Sequence, residues 1–92
     1  MKIKKKDIIE AVMEADLDPE DCIRWNYSGR GMYGKECFGF VGSEGEFGRL
    51  MVELTAIIGV EEARQLTNSM VTDNMGLRVI FYFPGVEVVL DD

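Results

Sequence analysis

The sequence contains no histidine, which removes the commonest general base and the usual nucleophilic triads. A structural zinc site also lacks ligands, because the two cysteines, Cys22 and Cys37, stand fifteen positions apart with no C-x-x-C pair. No apolar run exceeds five residues, far short of the roughly 20 that cross a bilayer, and no apolar stretch of signal-peptide type follows the lysine-rich start. A cytoplasmic protein with no membrane contact is expected. In that reducing compartment both cysteines should be buried or half-buried free thiols rather than a disulfide. Basic residues are scarce, 10 against 17 acidic for a net charge of −7, and four of the ten fall in the first six positions. The rest of the chain should therefore repel nucleic acid, although an acidic protein can also imitate it.

What is present is an ordinary globular composition, 47% hydrophobic and 29% charged over 92 residues. That is enough for one domain with a single modest core, residues 1–92. The spacing of Ile8, Ile9, Val12 and Met13 predicts a helix over 7–17, with Asp7 as its cap and Glu10 in capping-box register. Asp16 to Asp21, ending the helix before Pro19, reads as a solvated acidic turn. It lacks the twelve-residue calcium loop of an EF-hand.

Ile23, Trp25 and Tyr27 alternate with polar residues as a strand with one buried face does, and Glu36 to Val41 gives its hairpin partner. In that partner Phe38 and Phe40 share one face while Cys37, Gly39 and Val41 share the other. Gly39 and Gly42 leave room for a large neighbour such as Trp25, or for a closely packed helix. The clearest helix spans 44–58, where Ser43 and Glu46 form an S-x-x-E capping box ahead of the stripe Phe47, Leu50, Met51, Leu54, Ile57 and Ile58, and Gly59 stops it. A shorter helix over 61–66 would bury Val60, Ala63 and Leu66. Residues 69–72 form a short strand candidate, Asp73 to Gly76 a turn, 77–83 a central strand buried on both faces, and 86–90 an edge strand before the solvated Asp91 and Asp92. The fold class expected is α+β: a small antiparallel sheet of three to five strands (hairpin 23–41, strand 77–83), covered by the amphipathic helix 44–58, with a short N-terminal helix.

The most unusual stretch is Ser28-Gly-Arg-Gly-Met-Tyr-Gly34, which matches G-x-G-x-x-G. A dinucleotide fold requires the motif to open a helix, and here it leads into a strand. A kinase loop lies between strands, yet the chain is too short and has no V-A-I-K, H-R-D or D-F-G segment. The phosphate-binding G-x-x-x-x-G-K-[ST] motif fails because Glu36 follows Lys35. What survives is an anion-holding loop in which Gly29, Gly31 and Gly34 offer backbone N–H groups, Arg30 a fork donor, Lys35 a second charge and Tyr33 a ring. Asp73 and Asn74 of the later turn complete that candidate site. The alternative is a wide hairpin connection with Met32 and Tyr33 packed back onto the sheet.

The motifs Ser28-Gly-Arg-Gly-Met-Tyr-Gly34, Cys37-x-Gly39 and Asp73-Asn-Met-Gly76, the last leading into an aromatic strand that ends at Pro84, resemble a group of small uncharacterised proteins encoded by bacteriophages and prophages. The resemblance covers roughly residues 25–84. It implies an accessory role in the cytoplasm of a bacterial host and carries no functional residues over. The expected function is therefore a non-catalytic binding protein without metal or cofactor, sequestering a small anionic, nucleotide-like host ligand through the glycine loop. The alternative is a protein–protein inhibitor of a host factor, presenting an acidic or sheet-edge surface. Direct nucleic-acid binding is not expected, and a homodimer is left open.

Overall fold

In a computed structural model, the chain is an α+β protein with four helices and two sheets among the described residues. The structure describes residues 1–29 and 33–90, leaving the side chains of residues 33–36 and 75 outside that description. The elements are β1 (Lys2–Lys4), α1 (Lys5–Glu14), α2 (Pro19–Cys22), β2 (Ile23–Tyr27), β3 (Tyr33–Val41), α3 (Glu44–Ile58), α4 (Val60–Asn68), β4 (Val71–Met75), β5 (Arg78–Tyr82) and β6 (Glu87–Val89). The main sheet is antiparallel with strand order β2-β3-β5-β4, and β1 pairs in parallel with β6.

The expected four-part architecture is present, with local corrections. Helix α1 starts two residues early, because the chain turns directly out of β1. Lys4 occupies the N-cap with no side-chain bond, and Asp7 lies in the first turn instead of capping. Its buried residues are Ile8, Ala11 and Val12, whereas Met13 is exposed: the apolar stripe is rotated toward the small Ala11, which allows close packing on α3. The acidic turn contains the single helical turn α2, where the Asp18 carboxylate accepts from the Glu20 N–H and Pro19 takes the first helical position.

Helix α3 has both bonds of the capping box: Glu46 N–H donates to Ser43 Oγ and Ser43 N–H to Glu46 Oε1. Leu50 and Leu54 are fully buried, and Phe47 stacks on Phe81 with ring centroids 4.4 Å apart. These residues close one face of the sheet, where Phe38, Phe40, Phe81 and Phe83 join Ile8, Val12 and Leu66 in the main core. In α4, Ala63 and Leu66 are buried as expected, but Val60 is exposed at the helix start.

Three strand readings change. Residues 73–75 belong to β4, not to a turn: Met75 pairs with Arg78, so the turn is the two residues Gly76 and Leu77, with Gly76 at a φ of 69°. A positive φ at the first central position is what a tight hairpin demands, and only glycine adopts it cheaply. β5 is internal, yet it is buried on both faces only from Ile80 onward, because Arg78 and Val79 extend past the end of β3. The strand near 86–90 pairs with β1 instead of edging the main sheet.

Candidate functional site

The glycine loop is anchored to the sheet face opposite the helices. In β2, Asn26 adopts a φ of 59° and the register to β3 shifts between Trp25 and Tyr27. This bulge breaks the alternation, so Ile23 and Trp25 pack on the main core while Tyr27 turns to the other face and forms a second cluster with Val41, Ile80 and Tyr82. Tyr27, not Trp25, uses the space above Gly39: a Cβ there would lie 3.0 Å from Ile80 and 3.4 Å from the Tyr27 ring. The Tyr27 hydroxyl donates to Asp73 Oδ2 at 2.6 Å, its ring meets Tyr82 edge-on at 5.4 Å, and its carbonyl accepts from the buried Cys37 thiol. One fully buried tyrosine thus ties β2 to β4 through a charge-assisted bond.

Gly29 lies buried against this assembly with a φ of 98°, and a Cβ on it would meet the Tyr82 ring at 2.7 Å. Of the eight residues proposed from sequence, Gly29 and Asp73 come to this one face through Tyr82 and Tyr27. Tyr33, Gly34 and Lys35 belong to the start of β3, where Tyr33 pairs with Tyr27. Arg30 and Gly31 lie outside the described residues. Asn74 is exposed and, paired with Val79, shares the opposite face with the cross-strand pair Thr72 and Phe81.

A second region converges at the other end of β5. The β4–β5 hairpin overhangs α2 and the start of α3, enclosing a cleft of about 460 Å³ lined by Asp18, Asp21, Glu46 and Arg78 with apolar Leu17, Leu77 and Val79. A neighbouring groove of about 330 Å³ runs between Ser43 and Glu44 on one side and Thr72, Asn74, Val79 and Phe81 on the other. None of Asp18, Asp21, Glu44 and Glu46 has an ion-pair partner among the described residues. Leu77 is fully exposed at the hairpin tip, and Val71 and Val79 are also exposed. This hairpin surface escapes sequence reading because strand order decides it. The available signal was Gly76 followed by a large apolar residue, a two-residue turn with an exposed tip.

The same carboxylates act on Cys22 at the cleft wall. Burial, followed by the negative charges of Asp21, Asp18 and Glu46, pushes its thiol up to about 11 from an ordinary 9.0, against a lowering backbone hydrogen bond. Because the folded state holds this proton more tightly than the unfolded state, the contribution to stability is complete below pH 9 and lost as pH rises toward 11. We expect wild-type protein to lose more stability than Cys22→Ala across that window in denaturant melts. Neither thiol is in a disulfide and both are buried, so each should react slowly with a thiol reagent when native and rapidly once unfolded. Equal slopes, or equally fast native labelling, would contradict this account.

Among the described residues no cluster of three or more His, Cys, Asp or Glu is placed to hold a metal, and no helix is long and apolar enough to cross a membrane. No protein-family model, curated protein or solved structure matches the chain.

Proposed function

We propose that the chain is a non-catalytic binding protein that occupies a partner protein through the β4–β5 hairpin, in the phage accessory setting that its sequence resemblance implies. The observation carrying this reading is the position of β4 at the end of the sheet, in a hairpin that exposes Leu77 at its tip, Val79 on the helical face and Val71 on the opposite face. A fully exposed leucine at a two-residue turn gains little for the folded chain alone, and beside an open strand edge it offers an added chain both backbone partners and an apolar anchor.

The anionic-ligand reading of the glycine loop is second. Gly29 packed on Tyr82 supports a built loop base. The Tyr82 hydroxyl stands at that base, and Asp73 on the same sheet face presents a carboxylate, bonded to Tyr27, that would repel an anion.

One pull-down from bacterial lysate, with mass spectrometry for both proteins and small molecules, separates the two. We expect wild-type and Arg30→Ala protein to capture the same partner protein, while Leu77→Asp weakens capture about tenfold or more, as loss of an interface anchor does. Retention of a small molecule that Arg30→Ala abolishes and Leu77→Asp spares would replace docking with ligand sequestration.

A further inference from the structure

We infer that the outer edge of β4 takes up an extended basic segment of the partner protein as a fifth strand. This rests on the docking reading and specifies the chemistry of the partner. The main-sheet order leaves β4 without a neighbour on its outer side among the described residues. The side that its backbone groups face follows from β5. The Val79 carbonyl accepts from Gly42 N–H and Phe83 N–H donates to the Phe38 carbonyl, so the odd-numbered residues of this stretch direct their backbone groups toward β3. Opposite them in register, Asn74 pairs with Val79 and Thr72 with Phe81. In an antiparallel ladder those positions of β4 then turn their N–H and C=O groups away from β5, toward the open edge.

An added strand would alternate its side chains between the two faces of the sheet. On the helical side they would lean over the groove holding Thr72, Asn74 and Glu44, with Asp18, Asp21 and Glu46 in the adjoining cleft. Apart from Asp73, which Tyr27 holds, four carboxylates there face a single lining cation, Arg78, and none of the four has an ion-pair partner among the described residues. Lysine or arginine at alternate positions supplies the missing charge, with stems long enough to lie along Val79 and Phe81. On the other side the added strand meets exposed Val71, which suits apolar residues. The complementary segment therefore alternates basic and apolar residues. A second copy of this chain brings a net charge of −7 and leaves the carboxylates uncompensated.

The test uses the acetylated, amidated peptide Lys-Val-Lys-Val-Lys-Val-Lys-Val and its Glu-Val counterpart, titrated into isotopically labelled protein and followed by amide NMR. We expect the lysine peptide alone to bind, to slow hydrogen exchange at the Thr72 and Asn74 amides, and to bind about tenfold more weakly when salt rises well past the point where the Debye length falls below about 8 Å. Asn74→Pro should weaken binding at least about tenfold, because proline removes an outward N–H that the sheet itself does not use. Glu44→Gln should weaken it less and provides a second reading should the proline variant fold poorly. Failure of the lysine peptide to bind, equal binding of both peptides, or shifts confined away from β4 overturns the inference. Protection of Thr72 and Asn74 that grows with protein concentration and without peptide also overturns it, in favour of a second copy. Each of these failures leaves the lysate experiment with Leu77→Asp to judge the docking reading separately.

Discussion

Replacing Leu54 by alanine is expected to lower the stability of the fold by roughly 2–5 kcal/mol, the range for deleting a fully enclosed leucine side chain. Leu54 has no exposed surface, and it belongs to the core cluster that joins α1, α3, α4 and the aromatic face of the sheet. The cluster is held from several directions. Ile8 and Val12 belong to a helix packed on α3, and Phe47 of α3 stacks on both Phe81 and Phe83 of the sheet face. A site so constrained collapses poorly around a cavity, which places the expected loss in the upper half of the range. Small domains hold about 5–15 kcal/mol in total, so the variant should melt well below wild type. A shift under about 0.5 kcal/mol in a denaturant melt would mean that α3 does not close the core.

Gly29→Ala is expected to cost roughly 2–4 kcal/mol, from two separable sources. The backbone stands at a φ of 98°, and the new methyl group would lie 2.7 Å from the Tyr82 ring. That ring is not a loose chain end, since it packs edge-on against buried Tyr27. Gly59 provides a matched control: its φ is 96°, and no atom lies within 4 Å of the added Cβ. Gly59→Ala, at a φ of 96° and ψ of 158°, should therefore show a backbone cost alone, about 1–3 kcal/mol, and any excess at Gly29 reports the contact with Tyr82. Equal losses at the two positions would show that the loop base is not packed on Tyr82.

How much of this was legible in the sequence differs element by element. Helix α3 was legible to the residue because Ser43, Glu46 and the apolar stripe are local signals that agree with one another. The inward face of β3 followed from its alternation. β2 misled because a single left-handed residue, Asn26, resets the period, and the only hint in Trp-Asn-Tyr is that asparagine tolerates that conformation. The Asp73–Gly76 turn was misplaced because Gly76 acts as the first central residue of a tighter turn rather than the last residue of a looser one. β1, with one buried residue in three, offers no periodic signal at all. Of the proposed loop site, Gly29 acquires a packing reason, and Asp73 a partner that no local rule could supply, 46 positions away. The hairpin edge depends on which strand ends up outermost, a property of the assembled sheet and not of any stretch of chain.

The pairing of β1 with β6 closes the chain into a ring. Lys2 lies opposite Glu87 and Lys4 opposite Val89, 85 positions apart in each case. Joining such distant segments from open chain costs about 4 kcal/mol in loop entropy on length alone, more than any other strand pairing here. Three residue pairs cannot repay that by themselves. The ladder becomes favourable only after the intervening sheet and helices have shortened the path between its strands, so it reports on the completeness of everything folded between them. Buried Ile3 and Val88, both members of the main core, make the two ends of the described chain a single cooperative clasp in which neither strand persists without the other.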